Sequence, residues 1–418
     1  MKYGMNTLDD FDVRDKTVLC RLDLNSPLDP RTGEPRDVSR LERCARTVAE
    51  LADRRARVVL LTHQGGDLEY KNYGTTEPHA RIMGRLLGRP VAFVDDVCGP
   101  AAREAIKRLK SGEILLLDNV RFLAEELTLF ETKLRLSPAE QAKTLVVRKL
   151  APLADLYVCD AFAAVHRSQP TLVGFEEVLP SAMGRLFEEE VTALGRIREN
   201  PEHPCVFVLG GAKIEDAFLI MGAVLKAGTC DEVLTGGLVA NVMLVAKGVR
   251  LGQPSEEFLV KNALDQYIQP AREILDDFGD RVVLPVDFAM ANPGRSEIGL
   301  ADLPADDLIV DLGHRTVQLY AERLARARTV FVNGPAGIFE RPEAEYGTKT
   351  LWETIAYSQA FSVVGGGDSL AAVAKYGLGK SFSYLSTAGG GLVRYLSGEE
   401  LPVIAALRRA AQRRAGQQ

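Results

Sequence analysis

Short apolar runs, most of them rich in Val, Ile and Leu, recur along the whole chain and alternate with longer amphipathic stretches. In the first half they are Val18–Leu24, Val58–Thr62, Val91–Val94, Ile114–Leu117 and Leu156–Cys159. In the second they are Val206–Leu209, Glu232–Leu234, Val282–Val286, Leu308–Val310, Thr329–Val332, Phe361–Val364 and Phe382–Leu385. Runs this short read as strands buried on both faces, and their alternation with helical stretches predicts an α/β fold with parallel sheets. Balanced sets on either side of a midpoint near residue 180 predict two doubly wound lobes of similar size.

Between the runs the punctuation is helical. Ser137-Pro138-Ala139-Glu140 combines an N-cap serine, a proline at the first helical position and a capping-box glutamate, and predicts a helix to about Leu150. After Leu179-Pro180-Ser181, the residues Met183, Leu186, Phe187, Glu190, Leu194 and Ile197 follow a mostly three-to-four spacing. They predict one interdomain helix over about 181–198. The arginines Arg408, Arg409, Arg413 and Arg414 suit the end of a terminal helix, where positive charge meets the helix dipole.

A chain of 418 residues holds between two and three domains at roughly 150 residues each. The excess of 57 Asp and Glu over 51 Lys and Arg leaves a net charge of −6, with no basic surplus to draw the chain onto nucleic acid or an anionic membrane. The six cysteines (Cys20, Cys44, Cys98, Cys159, Cys205 and Cys230) stand singly, without metal or disulfide spacing. With no export signal and no long apolar stretch, the expectation is a cytoplasmic protein, free of membrane and nucleic acid and probing small molecules.

Ligands of open parallel sheets bind beyond the carboxyl ends of the strands, so the residues after each run carry the chemistry. In the first half these are Arg21, Asp23 and Asn25, then His63, then Arg121, then Asp160 to Arg167. The concentration of Arg21, Arg121 and Arg167 with His63 suits a small anion, because Arg grips carboxylate or phosphate bidentately. Arg40, ahead of a predicted helix, either joins that site or is an exposed helix residue. In the second half the strand ends are rich in glycine: Gly210-Gly211-Ala212-Lys213, Gly236-Gly237, Asn333-Gly334-Pro335, Gly365-Gly366-Gly367-Asp368-Ser369 and Gly389-Gly390-Gly391. Such turns let backbone amides approach phosphate oxygens at helix N-termini, and five in one lobe predict a nucleotide bed. Lys213 then reads as a cation on the transferred phosphate, and Asp368 beside Ser369 as a ligand of Mg²⁺. Gly379-Lys380-Ser381 precedes a strand, the wrong context for a P-loop, and no G-x-G-x-x-G follows the first strand.

Seven segments are recognisable: Arg21-Leu-Asp-Leu-Asn-Ser-Pro27, Leu117-Asp-Asn-Val-Arg-Phe122, Asp160-Ala-Phe-Ala-Ala-Val-His-Arg-Ser-Gln-Pro170, Leu209-Gly-Gly-Ala-Lys213, Leu234-Thr-Gly-Gly-Leu-Val-Ala-Asn241, Asn333-Gly-Pro-Ala-Gly-Ile-Phe-Glu340 and Gly365-Gly-Gly-Asp-Ser369. Together they resemble phosphoglycerate kinase, in particular its archaeal-type branch. The resemblance runs in order over nearly the whole chain. It implies two Rossmann-like lobes joined by a hinge helix: an N-terminal carboxylate-substrate lobe over 1–178, rejoined by the tail at about 400–418, and a C-terminal nucleotide-binding lobe over 179–399. It implies reversible phosphoryl transfer between ATP and the carboxylate of 3-phosphoglycerate in glycolysis, with Mg²⁺, in a monomer. Asp23, Asn25, Arg40 and His63 are then expected to hold the carboxyl and hydroxyl end of the substrate, and Arg121 and Arg167 its distal phosphate. Arg40, Lys213, Gly389 and Gly390 are expected to stabilise the group in flight. Gly211, Gly236, Gly237, Asn333, Gly365, Gly366, Gly367 and Ser369 are expected to line the nucleotide site, with Glu340 on the ribose and Asp368 on Mg²⁺.

The chain departs from the family's pattern at two places that matter. Gly66 stands where an arginine is expected to help grip the distal phosphate, with Asp67 and Glu69 following and Lys71 a poorer substitute. Ala388 replaces the first glycine of the last glycine turn, where a positive φ would be resisted. Smaller departures are Ala217 for a second lysine and Ala336 for a methionine. A kinase of the same fold acting on a different carboxylate, and a non-catalytic nucleotide-binding protein, therefore stand as alternatives at this point.

Overall fold

The computed structural model describes residues 1–66, 72–292 and 294–416. Asp67, Glu69 and Lys71, which follow Gly66, lie outside the described residues. The chain forms two compact units, one of Met1–Val191 with the chain from Glu400 onward, the other of Thr192–Glu399.

In the first unit a six-stranded parallel sheet comprises β1 (Thr17–Arg21), β2 (Arg57–Leu61), β3 (Val91–Val94), β4 (Ile114–Leu117), β5 (Leu156–Cys159) and β6 (Ser181–Met183), in the order β3-β4-β2-β1-β5-β6 among the described residues. Val18 is paired with Val58 on one side and Leu156 on the other, so β1 lies at the centre. Helices cover both faces, and every residue of β1, β4 and β5 is buried, which is why these strands read as continuous apolar runs.

The second unit holds β7 (Cys205–Leu209), β8 (Glu232–Thr235), β9 (Val282–Val283), β10 (Asp287–Met290), β11 (Ser296–Gly299), β12 (Ile309–Leu312), β13 (Thr329–Asn333), β14 (Phe361–Gly365) and β15 (Tyr384–Leu385). The parallel sheet has the order β15-β14-β13-β7-β8-β9. The chain runs outward from β7 to β9 and then returns to the other side of β7 at β13, so the strand order reverses between β7 and β13. That is where a doubly wound sheet opens a crevice.

Four expectations are corrected. The run Leu308–Val310 is not a member of the parallel sheet: β10, β11 and β12 form a separate antiparallel sheet, packed around Leu244, Leu251, Phe288 and Ile309. The interdomain helix begins at Arg185, not at 181, because Ser181–Met183 pairs as β6 with Tyr157–Cys159. The buried carboxylate of Asp160 then accepts the Phe187 N–H at 2.9 Å and fixes the helix start. The boundary between the units consequently falls within the helix Arg185–Glu199 and not at 178. The helix expected from Pro138 to Leu150 is two, Pro138–Gln141 and Leu145–Leu150. Ser137 and Glu140 form the expected capping box, but Glu125 accepts from the amides of Leu145 and Val146 at 3.1 and 2.7 Å and starts a second helix there.

Candidate functional site

In the first unit the loops after β1 and β2 are knitted together by buried amides. Gln64 accepts from Ser26 N and donates to Ser26 O and Asn72 O, while Asn119 donates to the carbonyls of Gln64 and Gly74. Asn25 accepts from the Gly65 amide at 2.9 Å. On this frame Asp23, 7% exposed, pairs with Arg40 at 2.7 Å. Burial opposes the ionisation of Asp23, but Arg40, His63 and Arg21 outweigh it and hold its pKa at about 2. Arg40 is therefore part of the site, which its spacing alone left undecided.

His63 is buried beside Asp23. Burial, together with the charges of Arg21, Arg121 and Arg167, pushes its pKa well below the ordinary value despite the pull of Asp23. The neutral ring accepts at Nδ1 from Arg21 Nη2, 3.3 Å away. Arg121 is buried and donates to the Gly65 carbonyl, and half-buried Arg167 donates to Thr128 Oγ1 at 3.2 Å and lies 3.6 Å from Glu131. Arg21 is the exception to the expected anion cluster. At 1% exposure it spends its donors on Leu22 O, Thr171 Oγ1 and His63, beneath the site. Glu126, which accepts from the Thr171 amide and hydroxyl, is also buried, and burial lifts its pKa to about 7.

In the second unit a cavity of about 240 Å³ opens at the reversal point of the sheet. Of the residues expected to bind nucleotide, Gly211, Gly237, Glu340 and Asp368 line it. Lys213, exposed, stands beside them at the N-cap of the helix Ile214–Ala227. The remaining glycines mostly serve the packing of one turn on another. Gly334 has φ +89°, and a Cβ there would lie 2.0 Å from the Gly210 carbonyl oxygen. One on Gly236 would lie 3.0 Å from Ala336 Cα, and one on Gly365 would meet Leu392 at 2.7 Å. Ser369 is fully buried and accepts the Gly334 N–H at 2.7 Å, and the Asn333 carboxamide packs against Gly366, so these residues support the turn from beneath. Gly367 and Gly389 meet no such neighbour. Ala388 is buried and is not among the residues with positive φ, so the departure there brings no backbone strain.

The chemistry fits a metal carried by its ligand. Among the described residues no cluster of three or more His, Cys, Asp or Glu side chains forms a site, and the exposed Asp368 carboxylate, at the start of the helix Gly367–Lys375, has no protein partner. One carboxylate beside a phosphate bed suits Mg²⁺, which takes most of its oxygens from water and phosphate.

Several lining residues escaped the sequence reading. Phe258, Phe288, Ile309, Leu312, Ile338 and Phe339 form apolar walls of the cavity, and in the sequence they are indistinguishable from ordinary core. Asn241 also lines it, a lone carboxamide within an apolar helix, Gly237–Ala246.

The phosphoglycerate kinase family model matches residues 8–399. The chain is 43% identical over 415 residues to the phosphoglycerate kinase of Methanothermus fervidus, covering 98% of each, and 44% identical over 409 residues to that of Pyrococcus horikoshii, covering 96% of this chain and 97% of the other. Among solved structures, the Pyrococcus horikoshii phosphoglycerate kinase superposes with a TM-score of 0.87 at 43% identity, covering 98% of this chain and all of that one. The Coxiella burnetii enzyme superposes with a TM-score of 0.82 at 30% identity, covering 97% and 100%.

Proposed function

Because the chain belongs to the phosphoglycerate kinase family, we propose that it transfers the γ-phosphoryl group of ATP reversibly to the carboxylate of 3-phosphoglycerate, giving 1,3-bisphosphoglycerate and ADP. As a member it is a kinase of glycolysis. The relatives that match over nearly the whole chain do not favour the alternative of a different carboxylate.

What carries the assignment of roles is the division of chemistry. A buried cationic group surrounds Asp23 in the first unit, and a cavity bounded by glycine turns and Asp368 lies in the second. Asp23, Asn25, Arg40 and His63 hold the carboxyl and hydroxyl end of the substrate, and Arg121 and Arg167 its phosphate. Gly211 and Gly237 face the nucleotide and Glu340 its ribose. Mg²⁺, when bound with the nucleotide, neutralises phosphate charge, with Asp368 as its protein ligand. A carboxylate is already an anionic nucleophile, so no general base is required. The task of the chain is to align the reactants and place positive charge on the equatorial oxygens, which Arg40, Lys213 and the amides of Gly389 and Gly390 supply. His63, kept neutral, donates or accepts hydrogen bonds without adding charge. We assign the hinge to the helix Arg185–Glu199, and read the protein as a cytoplasmic monomer. No helix among the described residues is long and apolar enough to cross a membrane.

Incubation with Mg-ATP, 3-phosphoglycerate and hydroxylamine tests the reading, because hydroxylamine traps acyl phosphates. Matched yields of ADP and hydroxamate are expected. ADP at background with nucleotide still bound would move the assignment to another carboxylate.

A further inference from the structure

The nucleotide cavity contains a polar side chain with no assigned role. Asn241 is only 3% exposed and lines the cavity, yet its carboxamide makes no hydrogen bond to the described residues. Buried polar side chains are hydrogen-bonded as a rule, and one that meets only a cavity points to a ligand group. The other polar side chains around the cavity are differently placed. Glu340 and Asp368 are exposed. Asp311 is a carboxylate whose Oδ2 is engaged by Arg295 and the Gly347 amide at 2.9 Å each, while its buried Oδ1 lies beside Gly337 and Gly347 without a hydrogen bond among the described residues. Asn241 is thus the buried carboxamide among apolar walls such as Phe258, Phe288 and Ile338. That is the environment of a flat heteroaromatic base, while ribose and phosphates belong with Glu340, Asp368 and the glycine turns.

We propose that Asn241 reads the base of the bound nucleotide, and that it accepts 6-amino and 6-oxo purines alike. The inference rests on the nucleotide reading of this cavity. A carboxamide presents an acceptor and a donor side by side. Adenine offers a 6-amino donor beside the N1 acceptor, and hypoxanthine offers the O6 acceptor beside the N1–H donor. Each pairs with the amide through two hydrogen bonds, the second after a half-turn of the carboxamide. No hydrogen bond to the described residues holds Asn241 in either orientation, so both are open. A purine without a 6-substituent keeps only one bond.

The test is a set of equilibrium dissociation constants for the full chain with Mg²⁺ and ADP, IDP or purine riboside 5′-diphosphate. For the wild type, ADP and IDP are expected within about threefold of each other and purine riboside diphosphate about tenfold weaker. Asn241→Leu brings all three within about threefold. Asn241→Asp, which presents acceptors only, keeps the bond from the adenine 6-amino group or from hypoxanthine N1–H and loses the donor to N1 or O6, so ADP and IDP each bind about tenfold weaker and stay within about threefold of each other. Wild-type protein that binds purine riboside diphosphate as well as ADP overturns the proposal, and so does an ADP preference over IDP beyond tenfold. An unchanged preference over purine riboside diphosphate in Asn241→Leu, or unweakened ADP and IDP binding in Asn241→Asp, also overturns it. The wild-type comparison does not depend on any variant folding. Absence of saturable binding of all three ligands overturns the nucleotide reading itself, an outcome distinct from equal binding of all three.

Discussion

Arg40 Nη1 lies 2.7 Å from Asp23 Oδ2, and the pair is unequally buried, with side-chain exposures of 32% and 8%. Removing the arginine leaves a carboxylate that the surroundings no longer compensate. Arg40→Ala is expected to lower stability by about 2 kcal/mol at pH 7, less than the roughly 3–5 kcal/mol of a fully buried pair because Arg40 is partly solvated. The pKa of Asp23 is depressed to about 2, so the stabilisation is present above the unfolded value near 4 and is lost as the pH falls toward 2. Urea titrations of wild type and variant should therefore converge between pH 4 and 2. A gap that stays constant over that window would remove the ion pair as its cause.

Asp160 predicts the opposite trend. Burial raises its pKa to about 7, so the folded state retains a proton that the unfolded chain releases near pH 4. Its penalty is absent below pH 4 and grows as the pH rises to 7. Asn keeps the acceptor for Phe187 N–H without the charge. Relative to Asp160→Asn, the wild type should lose about 2–4 kcal/mol between pH 4 and 7.5. Parallel stability profiles would show that Asp160 ionises normally.

Lys213→Ala should reduce turnover by about 10²–10³-fold while the nucleotide dissociation constant stays within about threefold. That split is expected of a cation acting on the transferring group. An unchanged kcat in steady-state assays would refute the role.

Gly334→Ala should destabilise the second unit by more than about 3 kcal/mol, because the new methyl meets the Gly210 carbonyl oxygen at 2.0 Å and the residue has φ +89°. Gly367→Ala, at a site with nothing within 4 Å, is the control and should cost under about 1 kcal/mol. Equal thermal shifts for the two would contradict the packing role of the turn.

Gly66→Arg tests the altered substrate loop. If the loop simply lacks one phosphate-binding arginine, the substitution should tighten 3-phosphoglycerate binding about tenfold. Calorimetry showing no change would mean that the loop holds its substrate differently.

Much of this was legible before any coordinates, and the reason is locality. The buried parallel strands announce themselves through contiguous apolar residues, as in Ile114–Leu117 and Val206–Leu209, and the glycine turns after them lie in the same short segments. The motifs around Asp23, Lys213 and Asp368 are likewise continuous in the chain. By itself, then, the sequence determined the α/β class, the two lobes and most of the residues that carry charge to the site.

Only tertiary structure decided the rest, because the deciding contacts join residues far apart in the chain. Glu125 starts a helix twenty-one residues later by accepting the Val146 amide, and β10 turns Ile309–Leu312 into an antiparallel partner. Arg21 looks like an anion ligand in the sequence, yet the fold draws it down to Thr171 and His63. Asn241 sits among apolar neighbours in a helix and carries no signal until Phe258, Phe288 and Ile338 close around the same cavity. Whether a polar residue meets protein or empty space is settled by which distant walls surround it, and no local pattern encodes that.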